Sequence, residues 1–283
     1  MSSDVANVKR ETMPRFMRGQ TEEDLGTKDL ARHVVPPRLK IIQTNARAPF
    51  NAFRPGDIVI VPTMEVLAPV DLDGQGKPLE TGAEFSFVPV FHFDEWVLWN
   101  PLELKGQLPA VRARTLDPQS PIAVKAQNPD KRQEVCPEMT TKMMKYVEHI
   151  NFLCMISSPG PFQGIVVVTS FARSEHKMGR HLADLLRMRR DPISGDHAPI
   201  YGCQFVGQIG PRDNAKGHWL GLNVTNPSDE SGVSRFIEEE NMYQLLQKQY
   251  YEFRDAHKAR ILQPDYGDDE TDLDPVADAR GEF

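Results

Sequence analysis

Basic side chains concentrate between residues 173 and 216, where they could neutralise phosphate groups. This window contains eight Lys or Arg residues, five acidic residues and three histidines. The basic residues are Arg173, Lys177, Arg180, Arg187, Arg189, Arg190, Arg212 and Lys216. Cations spaced along a groove bind a nucleic-acid backbone, and such binding weakens steeply as salt rises. The alternative interpretation is an ordinary solvated helix face without a ligand.

Aromatic residues supply a second kind of binding chemistry, between Phe85 and Trp99. On a β-strand, the four phenylalanines at odd positions would share one face, while Val88 and Val90 would share the other. The core can cover one face, and nucleobases stacked on the other would gain about 1 to 3 kcal/mol each. The candidate stacking rings are Phe91, Phe93, Trp96 and Trp99. The alternative is that all of these rings belong to the core.

Residues 265–283 carry the whole net charge of the chain. The chain has 33 basic and 40 acidic residues, a formal charge of −7, and this segment holds one Arg and eight of the acids, which leaves 32 of each elsewhere. A segment this acidic cannot bury enough apolar surface to offset the entropy of ordering, so we expect a disordered tail. Such a tail could compete with nucleic acid for a basic groove and dock on partner proteins, or it could simply keep the chain soluble. The candidate partner-binding residues are Asp268, Asp269, Glu270, Asp272, Asp274, Asp278, Glu282 and Phe283.

Catalytic patterns are sparse. Glu175-His-Lys177 follows a predicted strand and could be half of a metal-dependent nuclease site, with a carboxylate such as Asp130 as the other half. The competing interpretation makes Ser174 the N-cap of a helix and Glu175 part of its first turn. We therefore expect a protein that is not an enzyme and needs no metal or other cofactor.

Composition excludes several other classes. The three cysteines (Cys136, Cys154 and Cys203) form no Cys-x-x-Cys pair, which argues against a disulfide framework and a zinc ribbon. No apolar run approaches the roughly 18 residues of a membrane helix, and the N-terminus has no signal-peptide pattern. We expect an intracellular protein that does not contact membranes.

Short β-rich runs separated by proline and glycine predict an antiparallel barrel or sandwich with inserted helices. The predicted strands are Leu39 to Gln43, Asp57 to Leu67, Glu84 to Leu98, Ala110 to Arg114, Gly164 to Phe171, Tyr201 to Ile209 and His218 to Val224. Two helices are predicted, one after Ser174 and one from about Ser234 to Arg260. A third possible helix runs from Pro137 to about Cys154, where Met139, Met143, Tyr146, Val147 and Ile150 occur at helical spacing.

Six short motifs follow one another along most of residues 34–224. They are Pro37-Arg-Leu-Lys-Ile-Ile-Gln43, Pro55-Gly-Asp-Ile58, Phe87-Val-Pro-Val-Phe91 with Trp96, Ser170-Phe-Ala-Arg-Ser-Glu-His-Lys177 leading to Arg180, Pro199-Ile-Tyr201 and Asn214-Ala-Lys-Gly-His-Trp219. Each is short, but their order resembles that of a family of tailed-phage single-stranded DNA-binding proteins with an OB-like core. Matching the motif positions one by one places Lys40, Trp96, Lys177, Arg180, Lys216 and Trp219 near DNA.

The resemblance implies an α+β, mainly β fold, an OB-like Greek-key barrel elaborated with helices. We expect a flexible arm (residues 1–33), a DNA-binding domain (34–233), a helix packed on it (234–262) and the acidic tail (263–283). The expected ligand is single-stranded DNA, bound without sequence preference in the host cytoplasm. The tail would recruit a polymerase, helicase or recombinase, and a homo-oligomer is a further expectation. Two alternatives remain open, a protein-interaction, virion or polymerase-associated subunit and a nuclease.

Overall fold

The computed structural model describes residues 36–44, 46, 49–70, 84–104, 107–191, 193–214, 217–227 and 234–262. The strands are β1 (Arg38–Ile41), β2 (Ile58–Val61), β3 (Glu65–Ala68), β4 (Glu84–Trp99), β5 (Val111–Thr115), β6 (Gln133–Cys136), β7 (Met139–Ile156), β8 (Val166–Ala172), β9 (Phe205–Asn214) and β10 (Gly217–Thr225). The α-helices are α1 (Pro121–Gln127), α2 (His176–Met188) and α3 (Glu240–Lys258). The predicted N-terminal arm and acidic tail lie outside the described residues.

The ten strands form one mixed sheet, so the fold is α+β and mainly β, as predicted. The sheet order is β10-β9-β4-β7-β8-β1-β2-β3, with β5 beside β4 and β6 beside β7. β1 is parallel to β8, and the other strand pairs in the described ranges are antiparallel. β4 and β7 are much longer than their neighbours and pair from Phe87 opposite Ile156 to Trp99 opposite Lys145. Each therefore serves two regions of the molecule.

The first region, here called the curled sheet, contains β1, β2, β3, β8, β9, β10 and the adjoining halves of β4 and β7. Its interior is a single apolar cluster to which these strands contribute, with Phe87, Phe152 and Phe205 among its most buried rings. Strand β10, at one end of the sheet, is joined through Gln43 to the segment that follows β1. Its side-chain amide donates to the carbonyl oxygen of Leu220 in β10 at 2.8 Å and accepts from the Leu220 N–H at 2.9 Å.

The second region, here called the extension, consists of β5, β6 and the far halves of β4 and β7. Helix α1 covers one face of it, and Trp96, Met144 and Tyr146 pack against Ala123 and Ala126 of α1. Ser120 caps α1 by accepting from the Ala123 N–H at 3.1 Å, and Pro121 occupies the first helical turn, where its missing N–H costs nothing. The extension is thus a small sheet-and-helix unit built on the two long strands.

Helices α2 and α3 pack on different clusters of the curled sheet. Leu182 of α2 is buried in the interior cluster, while Leu246 of α3 packs against Val88 and Val90 of β4. α2 approaches β7 and β8 most closely at Gly179, where an added Cβ would lie 2.8 Å from the Cβ of Phe171 and 3.2 Å from that of Ile150. Glycine permits this contact because it has no side chain to place there.

Several predicted elements are confirmed and others are wrong. All seven predicted strand runs contain strands, although the second is a hairpin of β2 and β3. Ser174 is not the N-cap of α2, because a short 3-10 turn (Arg173–Glu175) precedes the helix and no side chain caps it. α3 begins at Glu240, later than predicted. None of the helices in the described ranges combines the length and hydropathy that a bilayer crossing requires.

The predicted helix from Pro137 to Cys154 is wrong, because this segment forms the 18-residue strand β7. Its apolar residues also fit helical spacing, so the local pattern was ambiguous. Pairing decides the outcome, since β4, β6 and β8 all form ladders with β7. Buried neighbours on both of its faces, such as Phe152 and Leu153, fit a central strand, where long-range contacts override local preference.

Candidate nucleic-acid interface

The aromatic residues of β4 are core residues, which corrects the prediction that Phe91, Phe93, Trp96 and Trp99 stack nucleobases. All four side chains are buried, and Trp96 is only 4% exposed. The β4–β7 register shifts between Pro89 and Phe91. Odd-numbered residues before this bulge therefore face the opposite side of the strand from odd-numbered residues after it. Both faces of β4 are therefore covered, and no open aromatic face remains on it.

The bulge divides the four phenylalanines into two pairs. Phe85 and Phe87 lie in the interior of the curled sheet, whereas the rings of Phe91 and Phe93 lie 5.6 and 5.5 Å from the ring of His257 in α3. Helix α3 thus covers the second pair. Burial lowers the pKa of His257, with the neighbouring His92 as a second cause, which favours a neutral ring in this apolar contact.

Lys40 is also buried, which corrects its prediction as a DNA contact. Only 4% of it is exposed, and its ammonium lies 4.0 Å from the centre of the Phe50 ring. This distance is typical of a cation–π contact, which stabilises a cation removed from water. Lys40 therefore has a structural role within β1 and is not accessible to a phosphate.

Four predicted phosphate contacts do lie on the surface. Lys177, Arg180, Arg187 and Arg190 are all exposed, the first three on α2 and the last just beyond it. Residues 177, 180, 184 and 187 recur at helical spacing and form one face of α2, opposite the side that carries Gly179 and Leu182. At 1.5 Å per residue, Lys177 and Arg187 are about 15 Å apart along the helix axis. The exposed basic residues of this segment are here called the α2 face.

Trp219 lies beside the start of the α2 face. Its indole N–H donates to Oε1 of Glu175 at 2.9 Å, and the guanidinium of Arg212 lies 3.7 Å from the same oxygen. The Glu175 carboxylate also fills the space above Gly221, where a Cβ would meet it at 2.7 Å. This contact holds the hairpin of β9 and β10 against α2. Unlike the other two tryptophans of the chain, Trp219 is only partly buried.

The structure places Trp219 against Glu175, in the turn that precedes α2 and two residues before Lys177. That Trp219, Lys177 and Arg180 contact DNA stays a prediction. Lys216, at the turn between β9 and β10, lies outside the described residues. Glu175, a candidate nuclease residue, binds Trp219 and is accounted for by that contact. No group of three or more His, Cys, Asp or Glu side chains suited to hold a metal ion occurs among the residues that the structure describes.

Sequence reasoning missed a cavity at the other end of the α2 face. It has a volume of about 590 Å³ and is lined by Asp184, Arg187, Met188 and His197. The signal in the sequence was a single acid, Asp184, on a helix face that is otherwise basic. The segment after α2 brings His197 to the same depression as Asp184.

A buried polar group lies where the curled sheet joins the extension. Glu95 of β4 pairs with Arg114 of β5 at 2.7 Å, and Nδ1 of His149 lies 3.0 Å from the hydroxyl oxygen of Ser170. Burial lowers the pKa of His149 to about 3, and the positive charges of neighbours such as Arg173 act in the same direction. His149 is therefore neutral at physiological pH, and we assign this group a structural role.

Comparison with known proteins gives one family. The chain matches the family model described as Pam3 phage gp34-like protein over residues 75–259, which is more than half of its length. This range begins before β4 and ends just after α3, so it includes the extension, the α2 face and Trp219. No curated protein and no solved structure matches the chain. The extent of the family match shows that the chain belongs to the Pam3 phage gp34-like protein family.

Proposed function

We propose that this phage-family protein binds single-stranded DNA without acting as an enzyme. The α2 face would follow the sugar-phosphate backbone, and Trp219 would stack on one base. One observation carries the proposal: within the described part of the chain, Lys177, Arg180 and Arg190 have no acidic partner within ion-pair distance. An exposed cation without a paired carboxylate exerts its full attraction on a phosphate.

The finer features of the proposal rest on the sequence. The acidic tail would compete with DNA for the α2 face and recruit a replication protein such as a polymerase, helicase or recombinase. An OB-like description fits the curled sheet and its shared interior, and the motif order supports it. The host cytoplasm is the proposed location, and self-association of the protein is part of the same hypothesis.

The test is titration of the full chain with oligo-dT, followed by tryptophan fluorescence. Since Trp96 and Trp99 are buried, quenching on binding should come from Trp219 and should disappear in Trp219→Phe. Lys177→Ala with Arg180→Ala should weaken binding about tenfold or more and lower the salt slope by about 1.4, because each phosphate contact to a single strand contributes about 0.7.

The matched control is Arg112→Ala with Lys125→Ala in the extension. It removes the same charge from two cations that are paired with Glu138 and Glu134. Its affinity and salt slope should remain close to those of the unaltered chain. Equal losses in both double variants would mean that only the overall charge matters and would contradict an α2 interface. Deleting residues 265–283 should tighten binding if the tail competes with DNA.

A protein-interaction subunit is the second candidate, and two exposed apolar side chains favour it. Ile193, at the tip of the turn after α2, is 95% exposed, and Met188 is 68% exposed. Apolar side chains this exposed are typical of protein contacts when they cluster. Ile193→Ser would leave oligo-dT affinity unchanged but lower the affinity for a phage or host replication protein if this candidate is correct.

A further inference from the structure

The cavity at the end of the α2 face combines four different side-chain chemistries. Asp184 and Arg187 lie on the last turns of α2, where their charged groups are 3.8 Å apart. Met188, the last residue of the helix, adds a thioether, and His197 adds an imidazole from the segment that returns after the helix. All four lining residues are exposed, so this is an open depression on the surface, and its volume of about 590 Å³ is enough to admit an organic group.

The wall that carries His197 is held by its own hydrogen bonds. Arg190 and His197 form an isolated antiparallel bridge, and the Asp191 N–H donates to the carbonyl oxygen of Asp196 at 2.9 Å. The Asp191 carboxylate accepts from the backbone N–H groups of Ile193 and Ser194 at 3.0 and 3.1 Å. The turn is therefore held by hydrogen bonds within the protein itself, which lowers the ordering cost of binding.

Asp184 is an acid on a surface whose other charged residues would attract phosphate. An ionised carboxylate accepts hydrogen bonds and donates none, so it repels a phosphate and attracts an amino group. Exocyclic amino groups occur on cytosine, adenine and guanine, and an Asp or Glu side chain can accept from the cytosine N4 amino group. Thymine presents a carbonyl oxygen and a methyl group in the corresponding region and offers no such donor.

The remaining walls suit the ring of a base. A thioether makes favourable contacts with aromatic rings, and bases released from a stack commonly lie against His and other aromatic side chains. Arg187 lies on the same helix face as Lys177 and Arg180 and can hold the phosphate next to such a base. The cavity thus lies on the path that the α2 face defines for a strand.

We infer that this cavity takes one unstacked nucleobase and favours a base with an exocyclic amino group, which donates to Asp184. The inference rests on the proposed single-strand binding and adds a base preference to it. Binding remains tolerant of sequence elsewhere along the strand, because the other contacts go to phosphates and to one Trp ring.

The experiment compares oligo-dC, oligo-dT and oligo-dU of equal length on the full chain at one salt concentration. The unaltered protein should bind oligo-dC about threefold to tenfold more tightly than the other two, which corresponds to one net hydrogen bond in water. Oligo-dU separates the missing amino group from the thymine methyl group. Asp184→Ala should reduce the preference for oligo-dC to within about twofold of equality, because the acceptor is gone.

Asp213→Ala is the matched control, since Asp213 is an exposed acid on β9 outside the cavity. It should change affinity for all three oligomers by the same factor and leave their ratio intact. If Asp184→Ala also changes all three equally, Asp184 acts only as a repulsive charge and the base pocket is refuted. Binding with no preference in the unaltered chain refutes the pocket alone, whereas the absence of salt-sensitive binding refutes the proposed function as well.

Discussion

The α2 face and the extension both display basic side chains, but their surroundings differ. In the extension, Arg112 lies 2.8 Å from Glu138, Lys125 lies 2.7 Å from Glu134 and Lys142 lies 2.5 Å from Glu103. On the α2 face the one ion pair in the described structure joins Arg187 to Asp184 at the longer distance of 3.8 Å. The extension contains parts of β4 and β7, and α2 packs on β7. The two surfaces therefore differ in how their cations are paired and not in the sheet beneath them.

The difference shows that the number of basic residues alone does not identify a binding surface. The hydrogen bond from Arg112 lowers the pKa of the Glu138 carboxyl to about 2, and the hydrogen bond from Lys142 lowers that of Glu103, as expected for carboxylates paired directly with cations. A phosphate approaching the extension meets a carboxylate beside each of these cations. The same phosphate approaching Lys177 or Arg180 meets a cation that has no acidic group within ion-pair distance among the described residues, which is why we propose α2 as the binding surface.

The largest expected effect concerns the core of the extension. Trp96→Ala should lower the free energy of unfolding by about 3 to 5 kcal/mol, because it removes a buried aromatic side chain packed under α1. Urea unfolding followed by circular dichroism measures this change. Trp219→Ala, at a partly buried site, should cost much less stability but should weaken oligo-dT binding. A stable Trp96→Ala variant with impaired binding would reverse the roles that we assign to the two tryptophans.

The next effect concerns pH and the polar group where the two regions meet. The pKa of His149 is about 3 when folded and about 6.5 in an unfolded chain, so below pH 6.5 only the unfolded state gains a proton. The free energy of unfolding should therefore fall by up to about 1.4 kcal/mol per pH unit between pH 6.5 and 3, with no contribution above this range. His149→Gln should flatten that slope in denaturant titrations.

The control for this prediction is His218→Gln, since His218 is exposed on β10. It should leave the acid slope unchanged. Identical slopes in the unaltered chain and His149→Gln would mean that His149 takes up its proton in the folded state, and that the junction is more open to water than its burial indicates.

A smaller effect is expected from the contact between α2 and the curled sheet. Gly179→Ala forces a methyl group against Phe171 and Ile150, both on strands that cannot move aside easily. Overpacking of this kind costs about 1 to 3 kcal/mol, part of which the better helix propensity of alanine offsets. Unfolding titrations should show a net loss of stability, whereas His181→Ala on the exposed side of α2 should be neutral. A stabilised Gly179→Ala variant would show that α2 can shift freely.

The smallest effect tests the paired cations of the extension. Lys125→Ala removes an exposed ion pair with Glu134 and a hydrogen bond to the hydroxyl of Tyr146. Surface pairs contribute about 0 to 1 kcal/mol, so unfolding titrations should show little change, and oligo-dT affinity should not fall. A clear loss of affinity would place DNA on the extension and remove the contrast between the two regions.

The sequence predicted the β-rich class and most strand positions, because alternating apolar residues and proline or glycine boundaries are local signals. It also placed Lys177 and Arg180 on an exposed helix face. It could not predict the bulge between Pro89 and Phe91, which turns Phe91 and Phe93 to the other face of β4 from Phe85 and Phe87. Nor could it distinguish paired from unpaired cations, since Arg112 and Glu138 are 26 residues apart and meet only in the fold.

The link between Gln43 and Leu220 has a consequence for self-assembly. Leu220 lies opposite Pro211 of β9, which has no N–H, and its own backbone groups turn outward from the last strand of the sheet. Without a partner these groups would form a template to which another chain could add a strand. The Gln43 amide makes the two hydrogen bonds that a neighbouring strand would make to Leu220, so another chain cannot pair with the edge of β10 at this residue.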